Sequence, residues 1–325
     1  MIRLAANLLQ YILVSRISQK KLDGMITEAI GLLLGTQNSD GGWGASEGKR
    51  SNTENTAIAV AALKSLAQKS ATEGVGGGTR WLLQHQNQDG SWPLNDAAKE
   101  GSWTSAHAIV ALSAFPEHQE AVRRAARWLV LQEGSKPGLL AQIILFVTGK
   151  SNINDLNNDL IGWSWVPDSF TWVEPTSYAL IALKKTRALL SETNVAERIS
   201  QGEAVIYDRM CKAGGWNYGN SKVLDYALWP YPDITAVALI ALQNRAAETA
   251  NQTSLASLRK TARETDSGLA LSWGTICLDL YGQKTDEWKE LLAKRFEKTR
   301  FLGETKTLAL AIIALNGTNN PFRIE

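Results

Sequence analysis

The sequence predicts an all-α fold, an α/α toroid in which six to seven helical hairpins set an inner ring of helices inside an outer ring. Internal self-similarity is the first observation behind this. Gln37-Asn38-Ser39-Asp40-Gly41-Gly42-Trp43 returns as Gln86-Asn87-Gln88-Asp89-Gly90-Ser91-Trp92, and Thr56-Ala57 through Ala62-Leu63 returns as Ser105-Ala106 through Ala111-Leu112, each at an offset of 49 residues. Glu174-Pro175-Thr176, leading to Ala179-Leu180-Ile181-Ala182-Leu183, returns as Asp233-Ile234-Thr235, leading to Ala238-Leu239-Ile240-Ala241-Leu242, at an offset of 59. The second observation is an alternation of two helical patterns, one amphipathic and one apolar nearly all round, which suits helices facing solvent and helices enclosed by others. The third is negative: no alternating β-branched run bounded by turn residues is evident in the chain.

Taken in order, residues 1–22 read as an N-terminal amphipathic helix. Its apolar stretch, Ile2 to Val14, contains Arg3, Asn7 and Gln10 and is followed by Arg16, Lys20 and Lys21. That is too short to span a bilayer and lacks a small-residue cleavage site. Such a helix packs on its own domain or lies flat on a membrane, which makes peripheral membrane contact an open alternative. Residues 23–325 read as one toroid. Outer-helix patterns fall near 24–36, 76–87, 118–132, 193–212, 252–264 and 285–298, and Ala- and Leu-rich inner helices near 54–67, 103–114, 175–189, 234–246, 266–281 and 305–316. Gly/Trp loops join each outer helix to its inner one. The apolar segment Leu139 to Val147 breaks six-fold counting; it reads as a core helix by default, with a membrane-inserting wall or a dimer contact as alternatives.

Composition bounds the function. Although 325 residues could make two average domains, the repeats assign them to one. With 34 basic and 32 acidic residues interspersed, no basic stripe of the kind that neutralises phosphates exists, and nucleic acid is excluded as a partner. Cys211 and Cys277 lie far apart, which suits a reducing, cytoplasmic setting and provides no disulfide or zinc framework.

Arg80-Trp81-Leu82-Leu83 followed by Gln86 to Trp92 resembles the glutamine–tryptophan repeat of squalene and oxidosqualene cyclases, members of the terpenoid cyclase and protein prenyltransferase toroids. Gln37 to Gly44 is a second copy, and Arg127-Trp128-Leu129 and Gly214-Gly215-Trp216 are partial ones. The resemblance implies a structural role for the motif, with Gln capping a helix end and Trp stacking nearby. It also implies a catalytic position: those cyclases carry Asp-x-Asp-Asp followed by Thr-Ala at the start of an inner helix. The corresponding stretch here is Asn52-Thr53-Glu54-Asn55-Thr56-Ala57, which keeps an acid only at Glu54. Such cyclases usually pair two toroids, so a partner chain supplying the second is an open expectation. Prenyltransferase β subunits, by contrast, place an Asp-x-Cys zinc site before an inner helix. Lys222-Val223-Leu224-Asp225-Tyr226-Ala227 resembles that approach with Ala227 at the thiolate position, and no Asp-rich diphosphate-chelating run is present, so no metal or other cofactor is expected.

Aligning inner helices on their Ala-Leu ends puts Glu54, Trp103, Glu174 and Asp233 at one equivalent position, with Thr56, Ser105, Thr176 and Thr235 two residues further on. Inner helices of a toroid start at one end, so these side chains should ring one mouth of the central cavity. Helix capping accounts well for Asp233 and the hydroxyls, and less well for Glu54 and Glu174, because Glu is a poor N-cap. Glu54, Glu174 and Asp233 are therefore the candidate acids. Trp103, Trp163, Trp165, Phe170, Trp172, Trp229 and Tyr231 are the candidate substrate-binding residues, since aromatic faces stabilise cations, stack on sugars or fill a core. His107 reads as a satisfied core residue or a proton carrier, and His85 and His118 as surface.

Three functions fit. The leading one is metal-independent, acid-initiated cyclisation or isomerisation of an isoprenoid, with Glu54 as proton donor. The alternatives are a non-catalytic toroid that binds a prenyl lipid, peptide or protein, and a carbohydrate-active toroid that uses Glu54 and Glu174 as paired acids.

Overall fold

The computed structural model describes residues 20–66, 68, 71–135, 156–157, 159–191, 194–223, 226–317 and 319–324. Residues 1–19 of the helix expected over 1–22, the whole of Leu139 to Val147, and Leu224-Asp225 lie outside them. Among the described residues there are twelve α-helices. The outer ones are α1 (20–35), α3 (Thr72–Gln84), α5 (Gln119–Leu131), α7 (Val195–Asp208), α9 (Thr249–Arg263) and α11 (Asp286–Thr299). Alternating with them are the inner helices α2 (Thr53–Ser65), α4 (Ser105–Leu112), α6 (Val173–Lys185), α8 (Pro232–Ala241), α10 (Gly268–Leu280) and α12 (Thr305–Asn316). A two-residue hairpin, β1 (Lys222–Val223) with β2 (Tyr226–Ala227), is the one sheet among these residues.

Each inner helix packs on the next, and α12 packs back on α2, so the ring closes on itself. Closure explains the apolar pattern. Within α8, every residue from Ile234 to Ala241 is buried, because its neighbours in the ring lie on two sides, an outer helix behind, and the central column in front. An outer helix has one buried face only. In α5 this is Val122, Ala125, Ala126, Leu129 and Val130, at the three-and-four spacing of an amphipathic helix.

The tryptophan repeat is a clamp between the rings. Indole Nε1 of Trp43, Trp92, Trp163 and Trp216 donates to the carbonyls of Leu33, Leu82, Leu129 and Ile206 at 2.7, 2.7, 2.8 and 2.5 Å, adding a second bond to a carbonyl in the last turn of the outer helix. The backbone N–H of each same Trp donates to the hydroxyl of Thr56, Ser105, Thr176 or Thr235 at 2.9, 2.8, 3.0 and 2.9 Å, tying the loop to the first turn of the inner helix. These hydroxyls were expected to cap free helical N–H groups; instead they receive the tryptophan backbone. Gln37 and Gln86 link laterally, donating to Gly74 O at 3.0 Å in α3 and to Ala121 O at 2.9 Å in α5.

Trp163, expected among the mouth aromatics, also makes the clamp: its ring is buried, the Arg198 guanidinium stacks over it at 4.0 Å, and it lines the small cleft beside Trp103 and Trp165. The sequence hides this because Trp163 follows its carbonyl partner by 34 residues, whereas the other three follow theirs by 10.

Candidate functional site

The inner helices bring their first turns to one end of the ring. Asn52 caps α2, accepting the Asn55 N–H at 2.9 Å, which places Glu54 in the second helical position rather than before the first. Glu174 in α6 and Asp233 in α8 occupy the same position. So does Lys306 in α12, whose Nζ lies 2.6 Å from Glu54 Oε1 with both side chains about 15% exposed. One turn deeper stand His107 on α4, Tyr178 on α6 and Trp273 on α10, at centroid separations of 4.1 Å between the first pair and 6.1 Å between the second. Trp103 leans on both His107 and Tyr178, and Trp165 packs edge-on against it at 4.8 Å. At the far end of the column Phe322, in the C-terminal segment, lies 4.8 Å from Trp273, held by Gln243, which donates to Phe322 O and accepts from Ile324 N.

The three acids differ in electrostatic setting. Burial alone would raise Glu54, but the Lys306 ammonium and, to a lesser extent, His107 together outweigh it, so Glu54 is held below the usual carboxylate range. Glu174 has no such contact. Burial raises it to about 7, and the Tyr178 hydroxyl donates to its Oε1 at 3.2 Å. Asp233 is half-buried and raised by burial, offset in part by backbone N–H groups at the start of α8. Lys306 stays charged because Glu54 and Glu174 overcome its own desolvation. His107 is held neutral by burial and by Lys306, its value lowered to about 3, and neither ring nitrogen has a partner among the described residues. The reading of His107 as a satisfied core residue therefore fails, and a buried imidazole offers one donor and one acceptor to a ligand.

The remaining aromatic candidates separate into two groups. Trp165 is half-buried beside Trp103, where the two line a small cleft with Trp128, Val166 and Pro175. Trp172, also half-buried, precedes α6 and underlies Gly219. Phe170, Trp229 and Tyr231 instead project to solvent, at 60, 75 and 50% exposure, and Tyr231 packs against Tyr218 with ring centres 5.8 Å apart. Among the described residues no group of three or more His, Cys, Asp or Glu has the placement to hold a metal ion.

No family model matches the chain and no curated protein matches it in sequence. Solved structures do match. A variant of the type II terpene cyclase MstE from Scytonema, with geranylgeranyl dihydroxybenzoate bound as substrate, aligns at 14% identity and a TM-score of 0.60, covering 94% of this chain and 99% of that one. Another MstE variant, with merosterolic acid A as product, gives 14% and 0.61 over the same shares. This fold is a terpenoid-cyclase-like α/α toroid. The GH76A α-1,6-mannanase of Salegentibacter sp. HEL1_6 shares the toroid at 9% identity and a TM-score of 0.59, covering 93% of this chain and 99% of that one, so fold alone does not choose a chemistry.

Within this terpenoid-cyclase-like toroid, Lys306 is a charged residue of the candidate site that the sequence expectations did not include. Extending the Ala-Leu alignment to Ala314-Leu315 would have put Lys306 at the acids' position. Lys306→Met should cost about 3 kcal/mol by leaving Glu54 unpaired in a buried setting. In the variant the folded-state pKa of Glu54 rises above its unfolded value, so stability falls as pH rises from about 4.5. Thermal unfolding should show a larger deficit against wild type at pH 8 than at pH 4.5. A deficit independent of pH would place the lysine's role in packing rather than charge. No helix among the described residues is long and apolar enough to cross a membrane.

Proposed function

We propose that this toroid is a metal-independent, acid-initiated isoprenoid cyclase or isomerase in which Glu174, rather than Glu54, donates the proton. The observation that carries the reading is the difference between the two glutamates. An acid catalyst must hold its proton at working pH, and Glu174, raised to about 7 and hydrogen-bonded to Tyr178, does so where the ion-paired Glu54 does not. Lys306 adds to this by stabilising the carboxylate left behind, which strengthens the acid without emptying it at rest. Two opposing influences, burial and a nearby cation, thus make a proton both held and transferable.

The chemistry balances without a co-reactant. The Glu174 proton adds to one carbon of a substrate alkene, using the π electrons and leaving a tertiary cation. Internal alkenes attack it to form carbon–carbon bonds, and loss of a proton ends the sequence, so the product is an isomer. The faces of Trp103, Tyr178 and Trp273 supply the negative potential that such a cation needs. The isoprenoid substrate of the similar MstE supports an apolar ligand, and the exposed aromatics Phe170, Trp229 and Tyr231 suit its approach. Metal independence rests on residue types: Ala227 where a thiolate would be needed, and no Asp-rich run.

Lipids extracted from the purified protein should contain an isoprenoid by mass spectrometry. Incubation with squalene or a geranylgeranylated phenol in the presence of EDTA should yield a cyclic isomer of unchanged mass. Retention of the isoprenoid with no conversion would instead favour a binding toroid, and conversion that EDTA abolishes would end the metal-independent reading.

A further inference from the structure

The mouth occupies one end of the toroid, and a separate cavity of about 680 Å³ opens elsewhere, between α3 and the C-terminal end of α2. Leu63, Val75, Leu83 and Phe115 supply its apolar wall. Helix α3 explains why it deserves a ligand. Its first half carries Gly74, Gly76, Gly77 and Gly78, and packing accounts for three of them. A Cβ on Gly74 would stand 2.6 Å from Leu34 Cδ2, one on Gly77 2.8 Å from Gln37 Nε2, and one on Gly78 2.5 Å from Val60 Cγ2. Gly76 is different. A Cβ there meets nothing within 4 Å, and the residue lines the cavity. Glycine inside a helix is destabilising relative to alanine, and at Gly76 the missing side chain leaves the helix backbone open to the cavity.

Charge defines what that is. Lys64, its ammonium 4.5 Å from the Phe115 ring centre, and Arg80 on α3 stand at the edge of the cavity, and no carboxylate among the described residues is ion-paired with either. His118 adds a third basic group and Glu117 the one acid. Thr79, on the same wall, has a buried hydroxyl with no partner among the described residues. A long apolar wall edged by Lys64 and Arg80, neither ion-paired with a carboxylate among the described residues, matches a molecule with a chain and an anionic head.

We infer that this cavity binds an anionic amphiphile, a single acyl or prenyl chain lying across Gly76 and against Phe115 with its carboxylate or phosphate at Lys64 and Arg80. The site is independent of the chemistry at the mouth. Titration calorimetry of the whole protein with laurate, dodecyl phosphate and dodecylamine tests it. One equivalent of either anion should bind saturably, and Gly76→Leu should weaken that binding at least tenfold with an unchanged or higher Tm. The double variant Lys64→Gln/Arg80→Gln, at positions outside the core, should weaken the anions to the same extent and so serves if the leucine variant folds poorly. Trp103→Ala, at the mouth, should leave the affinity unchanged. Tighter binding of the phosphate identifies a phosphorylated lipid and tighter binding of laurate a fatty acid, both consistent with the proposal. No saturable anion binding, binding untouched by both cavity variants, or dodecylamine held as tightly as the anions would overturn it.

Discussion

Glu174→Gln should lower turnover of an isoprenoid substrate by at least about two orders of magnitude, the contribution expected of a positioned general acid. The substitution keeps the side chain's shape and its bond to Tyr178 while removing the transferable proton, so substrate affinity should hold. Wild-type turnover should be level below about pH 7 and fall above it, as Glu174 loses its proton. The same ionisation makes a stability statement. Glu174 is raised from 4.5 to about 7 on folding, so the folded state binds the extra proton in that window and stability declines as pH rises through it. Glu174→Gln removes this decline, and its Tm should match wild type near pH 5 and exceed it near pH 8. Glu54→Gln is the contrast. It discards the counter-charge of Lys306 and should lower Tm at neutral pH with a smaller loss of turnover. The opposite ranking of the two variants in rate would return the acid's role to Glu54. If neither variant changes a rate while Trp103→Ala weakens ligand binding by about 1–3 kcal/mol through lost apolar contact, the toroid is a binding module.

Trp92→Ala should destabilise the fold by about 3–5 kcal/mol, the range for deleting a large buried aromatic. The ring is fully buried, its Nε1 satisfies Leu82 O at 2.7 Å, and its backbone N–H reaches Ser105 Oγ at 2.8 Å. Truncation opens a cavity between α3 and α4 and leaves Leu82 O with only the His85 N–H, at 3.2 Å. Trp163→Ala should cost a similar amount, because that residue makes the same clamp in the next hairpin, between α5 and α6, and carries Arg198 on its face. Trp229→Ala, at 75% exposure, should leave the denaturant midpoint almost unmoved. A midpoint for Trp92→Ala within error of wild type would show that the clamp holds nothing together.

By itself the sequence determined the architecture, because a closed double ring writes itself into composition. Helices surrounded on all sides must be apolar all round, those facing water must be amphipathic, and each hairpin must repeat the loop that joins them, so Gln37 to Trp43 and Gln86 to Trp92 could be read as one unit. It also determined that Glu54, Glu174 and Asp233 share a level, since each lies nine residues before the Leu of an Ala-Leu pair that closes the inner-helix pattern. Tertiary structure decided what that level does. The partner of Glu54 is Lys306, more than two hundred residues away, and ring closure alone makes them neighbours by setting α12 beside α2. That one contact keeps Glu54 ionised and leaves the proton to Glu174, a distinction between identical side chains at equivalent positions that lies in their surroundings. Trp163 shows the same limit from the other side: its spacing from Leu129 conceals a structural role that its indole hydrogen bond makes plain. Position along a helix is local and periodic, and so legible in the sequence. Charge state and burial depend on which elements meet across the ring, and only the folded chain determines them.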